Sequence, residues 1–154
     1  DDELEKIKAL DELAIMPKKA TDGSVAYDLY APENLLIKSG RQVIDLRFAI
    51  ELPTGYEAKI ESRSGYSSKG FAGAYVRNGA EYRFDCDVIT GKVDYDYRAS
   101  VGVIVNNRDR AFYIGRGQRI AQMTIYKVED TELVEAEELS ETGRGTGGFG
   151  STGI

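Results

Sequence analysis

Short runs of alternating apolar and polar residues recur along the chain, separated by Gly, Asn, Asp and Pro. Runs of this length at a period of two read as half-buried strands rather than helices. The pattern predicts strands over Ala26–Tyr30, Gln42–Ile44, Phe48–Leu52, Tyr56–Ile60, Val101–Asn106, Ala111–Ile114, Ile120–Lys127 and Glu132–Glu135. Many short strands with turns between them suit a sandwich or jelly roll. Helical periodicity is scarce: Ser64–Lys69 offers one turn, and the first ten residues read as a short helical or frayed lead-in. Between Ala74 and Phe84, Asn78-Gly79 is flanked by partly alternating residues that include Tyr75, Tyr82 and Phe84. This predicts a projecting β-hairpin closed by a type I′ turn, with both Asn78 and Gly79 at positive φ and aromatic pairs across the strands.

The tail changes the picture. Thr142–Ile154 holds six Gly, with Arg144 and Phe149 as its only large side chains, so it cannot build a core. It is either a disordered end or a lid that orders over a ligand. The length of 154 residues favours one domain, residues 1–141, followed by this arm, residues 142–154. A domain of this size builds a core without staples, and Cys86 stands alone, so no internal disulfide exists. There is no His, which excludes Ser-His-Asp and Cys-His catalysis and His-ligated zinc. The net charge of −6 has the wrong sign for coating nucleic acid, so a polyanionic ligand must be held locally. The acidic opening DDELEKIKAL is not a secretory signal, and no stretch is apolar enough to span a membrane. The missing initiator Met suggests a trimmed start. The expected setting is cytoplasmic, in a cell's own cytoplasm or as a phage or virus product in its host.

Few motifs survive a first test. Gly145-Thr-Gly147-Gly148-Phe-Gly150 spells GxGxxG, but the chain ends where the following helix should be, which rejects a dinucleotide site. Asp85-Cys86-Asp87 has too few ligands for zinc. Ser62-Arg63-Ser64-Gly65 combines a cation, a hydroxyl and an open backbone N–H at a strand end, the parts of an anion nest, though an ordinary turn has the same composition. In Asp94-Tyr95-Asp96-Tyr97-Arg98, a strand would put Asp94, Asp96 and Arg98 on one face, giving either a surface ion ladder or a carboxylate poised as general base. Gln118 and Gln122 lie on a half-apolar strand, and Asp28 lies inside Ala-Tyr-Asp-Leu-Tyr-Ala. Each on its own reads as structural.

Order and co-occurrence carry more weight. Pro17-Lys-Lys-Ala-Thr through AYDLYA, GYEAKIESRSG through Ser68, GKVDYDYR with VGVIVNN, GQRIAQM, and RGTGGFGSTG follow one another along the chain. In these five motifs the chain resembles the trimeric dUTP pyrophosphatase (dUTPase) family over essentially its whole length. The resemblance implies an all-β, jelly-roll-like (β-clip) fold assembled as a homotrimer, with each active site drawing on three subunits. It also implies Mg2+-assisted hydrolysis of dUTP to dUMP and pyrophosphate, which keeps uracil out of DNA and supplies dUMP for thymidylate synthesis. On this chain Asp94 would be the base that activates the water attacking the α-phosphorus. Tyr97 would pack under the deoxyribose and exclude a 2′-hydroxyl. Asp87–Asp94 matches the family's uracil hairpin, where Val88, Ile89, Thr90 and Gly91 would read the base through backbone groups. Arg63, Ser64, Gly65 and Gln122 would hold phosphates, and Asp28 would act on the magnesium through its bound waters. In the arm, Arg144 would grip the γ-phosphate, Phe149 would stack on uracil, and Gly150, Ser151 and Thr152 would close round the phosphates.

Val25-Ala26, Ser62, Lys92 and Ala99 depart from the family's usual residues at their positions, and Lys92 brings a charge beside the base-reading loop. A larger departure is an insertion between Lys69 and Asp87 that contains the predicted hairpin, residues 70–86. It is either a tolerated surface excursion or a trimer- or protein-partner element. The related dCTP deaminases carry a Glu ten residues after the aspartate of the third motif; here that position is Ile104, which disfavours deamination. A non-catalytic dUTP-binding regulator is the alternative of a different class. Since all the chemical residues are present, partner binding reads as an addition to catalysis.

Overall fold

The computed structural model describes residues 4–150. Along the chain run β1 (Lys6–Ala9), β2 (Lys18–Lys19), β3 (Tyr27–Tyr30), β4 (Leu35–Ile37), β5 (Gly40–Asp45), β6 (Phe48–Glu51) and β7 (Tyr56–Glu61). A single helical turn and a half, α1 (Ser64–Lys69), precedes β8 (Phe71–Tyr75), β9 (Glu81–Phe84), β10 (Cys86–Ile89), β11 (Gly91–Val93), β12 (Gly102–Asn107), β13 (Phe112–Ile114) and β14 (Arg119–Lys127). Every ladder is antiparallel. A five-stranded sheet in the order β11-β7-β14-β3-β2, a three-stranded sheet β10-β12-β5, a four-stranded sheet β4-β13-β8-β9 and the pair β1-β6 make up the all-β, jelly-roll-like body.

Alternation decides which side of each strand is dry. In β12, Val103 and Val105 are fully buried while Ile104 between them is exposed, the period-two signature of a sheet packed on one side. Tyr27–Tyr30 behaves differently: both Asp28 and Leu29 are buried, because β3 lies between β14 and β2. The core is centred on Phe48, Phe71, Phe84 and Phe112, each at most 1% exposed. Phe84 stacks on Phe112 with ring centroids 4.2 Å apart. That approach depends on Gly73, where a Cβ would collide with the Phe112 ring.

Several expectations are corrected. The lead-in is neither helical nor frayed at Lys6–Ala9, because these residues pair with β6 in register, Lys6 opposite Glu51 through Ala9 opposite Phe48. Glu132–Glu135 forms no strand; these residues are exposed and pair with nothing in a ladder. The predicted hairpin exists as β8 and β9, Phe71 opposite Phe84 and Ala74 opposite Glu81, but it does not simply project. Its inner strand also pairs with β13, and Phe71 and Phe84 belong to the core. Its turn is not type I′. Only Gly79 has positive φ, at 71°, and its N–H donates to the Tyr75 carbonyl at 2.8 Å, making a wider loop. Asn78 contributes through its side chain, whose Oδ1 accepts from the Ala80 N–H at 2.9 Å.

The segment Asp87–Asp94 is likewise not a paired hairpin. β10 pairs with β12 and β11 with β7, so the chain crosses between sheets at Thr90. Asp94–Arg98 is a turn rather than a strand, with the Tyr97 N–H donating to the Asp94 carbonyl at 3.1 Å. Asp94, Asp96 and Arg98 therefore do not share one face of a strand. The expected turn of helix at Ser64–Lys69 is present as α1.

Candidate active site

Two candidate half-sites and the C-terminal arm account for the described site residues. The first half-site is a corner of the five-stranded sheet. Gln122 on β14 stands opposite Asp28 on β3 and Glu61 on β7. Arg63 lies two residues beyond β7 and immediately before α1, so strand pairing brings its guanidinium to the same corner. Arg63 Nε lies 3.8 Å from Asp28 Oδ1 and Arg119 Nη1 lies 3.9 Å from Asp28 Oδ2. Arg63 Nη1 donates to the Arg119 carbonyl at 3.5 Å, and its guanidinium sits 5.3 Å from the centre of the Tyr66 ring. Asp28 is only 7% exposed. A carboxylate removed from water in this way needs cations beside it, and the corner supplies two. Ser64 and Gly65 are exposed at the start of α1. Arg63 Nε is buried without a hydrogen-bond partner, so one donor of the corner is unspent.

Arg119 is absent from the sequence-derived set, although it lies inside the quoted GQRIAQM. Its signal was available in retrospect: a cation three residues before Gln122, on a strand with a register shift between Arg119 and Ala121, which a strict period of two does not anticipate. Gln118 in the same motif is a bracing residue. Its amide donates to the Tyr66 hydroxyl at 2.9 Å and to the Ala72 carbonyl at 2.6 Å, tying α1 to β8.

The second half-site lies where the chain crosses from β10 to β11. Both are edge strands of their sheets, so each carries a row of backbone N–H and C=O groups that no strand pairs. Val88 is buried, Ile89 and Gly91 are half-buried and Thr90 is exposed, so of the four only the Thr90 side chain is fully open. A cavity of about 290 Å³ adjoins this crossing, lined among others by Gly91, Lys92, Tyr97, Ser100, Gly102 and Ile104. The Tyr97 hydroxyl donates to the Ser100 carbonyl at 2.9 Å. Lys92, the unusual cation here, lies 3.9 Å from Glu57 Oε2.

Asp94 directly follows β11 and opens onto a neighbouring cleft of about 430 Å³, lined by Tyr56, Glu57, Tyr95 and Glu129 among others. Val93 stands opposite Ala58 on β7, while Gln122 stands opposite Glu61 on the other side of that strand. At about 3.3 Å per residue and about 4.8 Å per strand, Asp94 and Asp28 are offset by roughly 13 Å along the strands and by three strand spacings, roughly 14 Å, across them. One chain thus gathers Asp28, Arg63 and Gln122, and separately Gly91 and Tyr97, but does not bring Asp94 to the first group.

The arm is apart from both. Phe149 is fully exposed and has φ of 52°, a left-handed conformation unusual for a residue with a side chain. Arg144 Nε donates to the Gly147 carbonyl, and the Gly145 N–H donates to Thr142 Oγ1 at 3.1 Å, bonds internal to the arm. Gly150 is exposed; Ser151 and Thr152 lie outside the described residues. A larger cleft of about 780 Å³ opens beside the β8–β9 hairpin, lined by Lys69, Glu81, Tyr82, Arg83 and Gln118 among others, and contains none of the expected site residues.

The family model for dUTPase matches residues 12–153. The chain is 40% identical over 150 residues to the deoxyuridine 5'-triphosphate nucleotidohydrolase of Nautilia profundicola, covering 96% of this chain and 97% of that one. It is 41% identical over 151 residues to the protein of the same name from a Hydrogenobaculum species, covering 96% of each. Among solved structures it is similar to the Staphylococcus bacteriophage 80alpha dUTPase with dUPNHPP, at 26% identity and a TM-score of 0.83, covering 98% of this chain and 99% of that one. With its motifs in order, its jelly-roll-like body and these matches in hand, the chain belongs to the dUTPase family. No helix among the described residues is long and apolar enough to cross a membrane.

Proposed function

We propose that this chain hydrolyses dUTP to dUMP and pyrophosphate, in active sites completed by three copies of itself and closed by the Gly-rich arm, residues 142–154. The single observation that carries the reading is the separation of one cationic corner, Asp28-Arg63-Gln122, from an open-edged base slot with its Asp94. Each half is well formed, and neither is sufficient alone. Assembly of a second chain's corner against the first chain's slot supplies what is missing. The exposed apolar side chains Leu133, Val134 and Leu139 between body and arm give that assembly a surface to bury.

Backbone groups of Val88, Ile89, Thr90 and Gly91 on the open side of these edge strands take the uracil by hydrogen bonding, which penalises a base whose donors and acceptors do not match. Tyr97, fixed through its hydroxyl, lies under the sugar and excludes a 2′-hydroxyl. Arg63, Ser64, Gly65 and Gln122 hold the phosphates, with Arg119 added to them. Asp94 holds a water in line with the α-phosphorus and takes its proton. Positioning and electrostatics carry most of a phosphoryl reaction, so a carboxylate suffices where no imidazole exists. Arg144 reaches the γ-phosphate, Phe149 stacks on the base, and Gly150, Ser151 and Thr152 close behind them. The local cations explain how a chain of net charge −6 binds a polyanion.

Magnesium fits the residues present. Both Asp28 oxygens stand beyond hydrogen-bonding distance of the guanidiniums beside them, so their lone pairs are available to metal-bound waters. Among the described residues no group of three or more His, Cys, Asp or Glu could hold a metal, which suits an ion kept mainly by substrate phosphates and water. When bound, it would neutralise charge on the phosphate oxygens. Ile104 lines the base cavity as an apolar side chain, leaving no carboxylate there for deamination.

Pyrophosphate release measured in parallel with dUTP, UTP, dTTP and dCTP, together with ammonia from dCTP, tests the reading. Release from dUTP alone is expected. Equal release from UTP or dTTP, or ammonia from dCTP, overturns it.

A further inference from the structure

Tyr97 is 43% exposed, and an exposed phenol ring is a poor gate unless something holds it. Its backbone is fixed by the turn from Asp94 and its hydroxyl by the Ser100 carbonyl. Ser100 is in turn fixed by a group that neither the sequence motifs nor the family matches single out. Its hydroxyl donates to Asp45 Oδ1, and the same oxygen accepts the Arg47 N–H at 2.8 Å. Asp45 is the last residue of β5 and stands opposite Gly102, the first residue of β12. Immediately beyond Ser100, the Val101 N–H donates to the Phe48 carbonyl at 2.8 Å and its carbonyl accepts the Leu46 N–H at 2.9 Å. The acceptor of the Tyr97 hydroxyl is therefore held from its own side chain and from the next peptide, both against the bend between β5 and β6.

That bend is stiff. Arg47 adopts φ of 67°, in the left-handed region, and its guanidinium bonds Asp11 at 3.0 Å and Glu33 at 2.9 Å. The Ser100 hydroxyl, opposed in part by burial and helped by the Arg47 N–H and charge, holds the Asp45 carboxyl below its usual range. Asp45 is thus ionised and available as an acceptor throughout the neutral range. At the cavity wall, a Cβ on Gly102 would come within 2.7 Å of Val43 Cγ1, so β12, which begins two residues after Ser100, starts in close contact with β5.

We propose that Asp45 and Ser100 are a positioning pair which holds Tyr97 across the sugar pocket and thereby sets discrimination between deoxyribose and ribose. This rests on the reading of Tyr97 as the sugar gate. Without the pair, Ser100 loses its side-chain tether to the end of β5, the carbonyl that fixes the ring shifts, and the pocket admits a 2′-hydroxyl.

The test measures kcat and KM for dUTP and UTP, with thermal unfolding alongside, in the full chain and in Asp45→Ala, Asp45→Asn, Ser100→Ala, Tyr97→Phe and the double variant Asp45→Ala with Tyr97→Phe. Asp45→Ala is expected to lower the dUTP-to-UTP ratio of kcat/KM roughly tenfold, through KM for dUTP and gained activity on UTP, with kcat for dUTP within about twofold. Asp45→Asn keeps an oxygen that accepts both donors, so it retains the ratio within about twofold. Tyr97→Phe removes the hydroxyl that the pair positions, so adding Asp45→Ala to it changes the ratio no further. An unchanged ratio in a folded Asp45→Ala protein, or losses that multiply in the double variant, overturns the proposal. If Asp45→Ala does not fold, Ser100→Ala, which deletes one hydroxyl, decides by the same ratio. An unaltered chain that releases no pyrophosphate from dUTP overturns the functional reading itself, whereas a selective dUTPase indifferent to Asp45 overturns only the positioning pair.

Discussion

The β8–β9 hairpin and the Gly-rich C-terminal arm are opposites. The hairpin places Phe84 at 0% exposure against Phe112, whereas the arm leaves Phe149 wholly in water. Both segments carry an aromatic residue beside glycines, so composition does not separate them. What separates them is backbone pairing: β8 has a strand on each side, while residues 128–150 join no ladder. An aromatic residue held by paired backbone stabilises the fold, and one on an unpaired backbone is free to be used by a ligand. The same contrast runs through the two half-sites. Asp28 is buried among paired strands, while Asp94 stands exposed at a strand end.

The largest effect is expected at the exposed carboxylate. Asp94→Asn should lower kcat for dUTP about a thousandfold or more while leaving dUTP binding within a few-fold, since a general base acts in the transition state. Single-turnover pyrophosphate release and equilibrium binding of a non-hydrolysable analogue separate the two quantities; turnover within tenfold of the unaltered chain removes Asp94 from its role. Next comes deletion of Gly143–Ile154, expected to cost about a hundredfold in kcat/KM by removing contacts that position the substrate, with the melting temperature unchanged within about 2 °C. A collapse in thermal stability would make the arm a structural element and erase the contrast with the hairpin. The contrast is sharpest in a matched pair of substitutions. Phe84→Ala should destabilise by about 3–5 kcal/mol through the cavity it leaves. Phe149→Ala should leave stability untouched and weaken dUTP binding by about 1–3 kcal/mol, the usual value of stacking on a base. Chemical denaturation and nucleotide titration on both variants check it, and swapped effects would refute the assignment.

Long strands with strong alternation were legible in the sequence. β7, β12 and β14 lie within a residue or two of where Tyr56–Ile60, Val101–Asn106 and Ile120–Lys127 predicted them, because a half-dry face writes itself into side-chain polarity. β1 and β2 were not legible. Lys6–Ala9 is exposed throughout and Lys18–Lys19 is two lysines; each is a strand only because another strand's edge accepts it, which no local pattern encodes. The turn at Asn78-Gly79 was located but mistyped, since the Asn78 side chain bonds Ala80 and spares its backbone the left-handed conformation. At the site, the residue types were readable from ordered motifs, but Arg119 and the Asp45–Ser100 contact were not. Asp45 lies 55 residues before Ser100, and only strand register brings them together.

The smallest expected effect tests whether the junction between hairpin and base slot is as dry as the hairpin core. Cys86 opens β10, two residues after the end of the β8–β9 hairpin, and is 3% exposed. Burial, reinforced by the carboxylates of Asp87 and Asp85 against the opposing charge of Arg108, pushes its thiol up to about 12. An unfolded thiol titrates near 8.5. Above that pH the unfolded chain releases a proton that the folded chain keeps until about 12, so this group favours the folded state less as pH rises across that window. Cys86→Val, which fills nearly the same space with no proton to lose, should therefore show a flatter fall in stability from about pH 8.5 upward, read by urea denaturation at several pH values. At pH 8 the native thiol should react with a small alkylating reagent at least about a hundredfold more slowly than in denaturant, since only an accessible thiolate is nucleophilic. Identical slopes in the two proteins, or rapid labelling of the folded one, would place water at the start of β10. The hairpin would then have to be regarded as hinged, like the arm, rather than welded to the body.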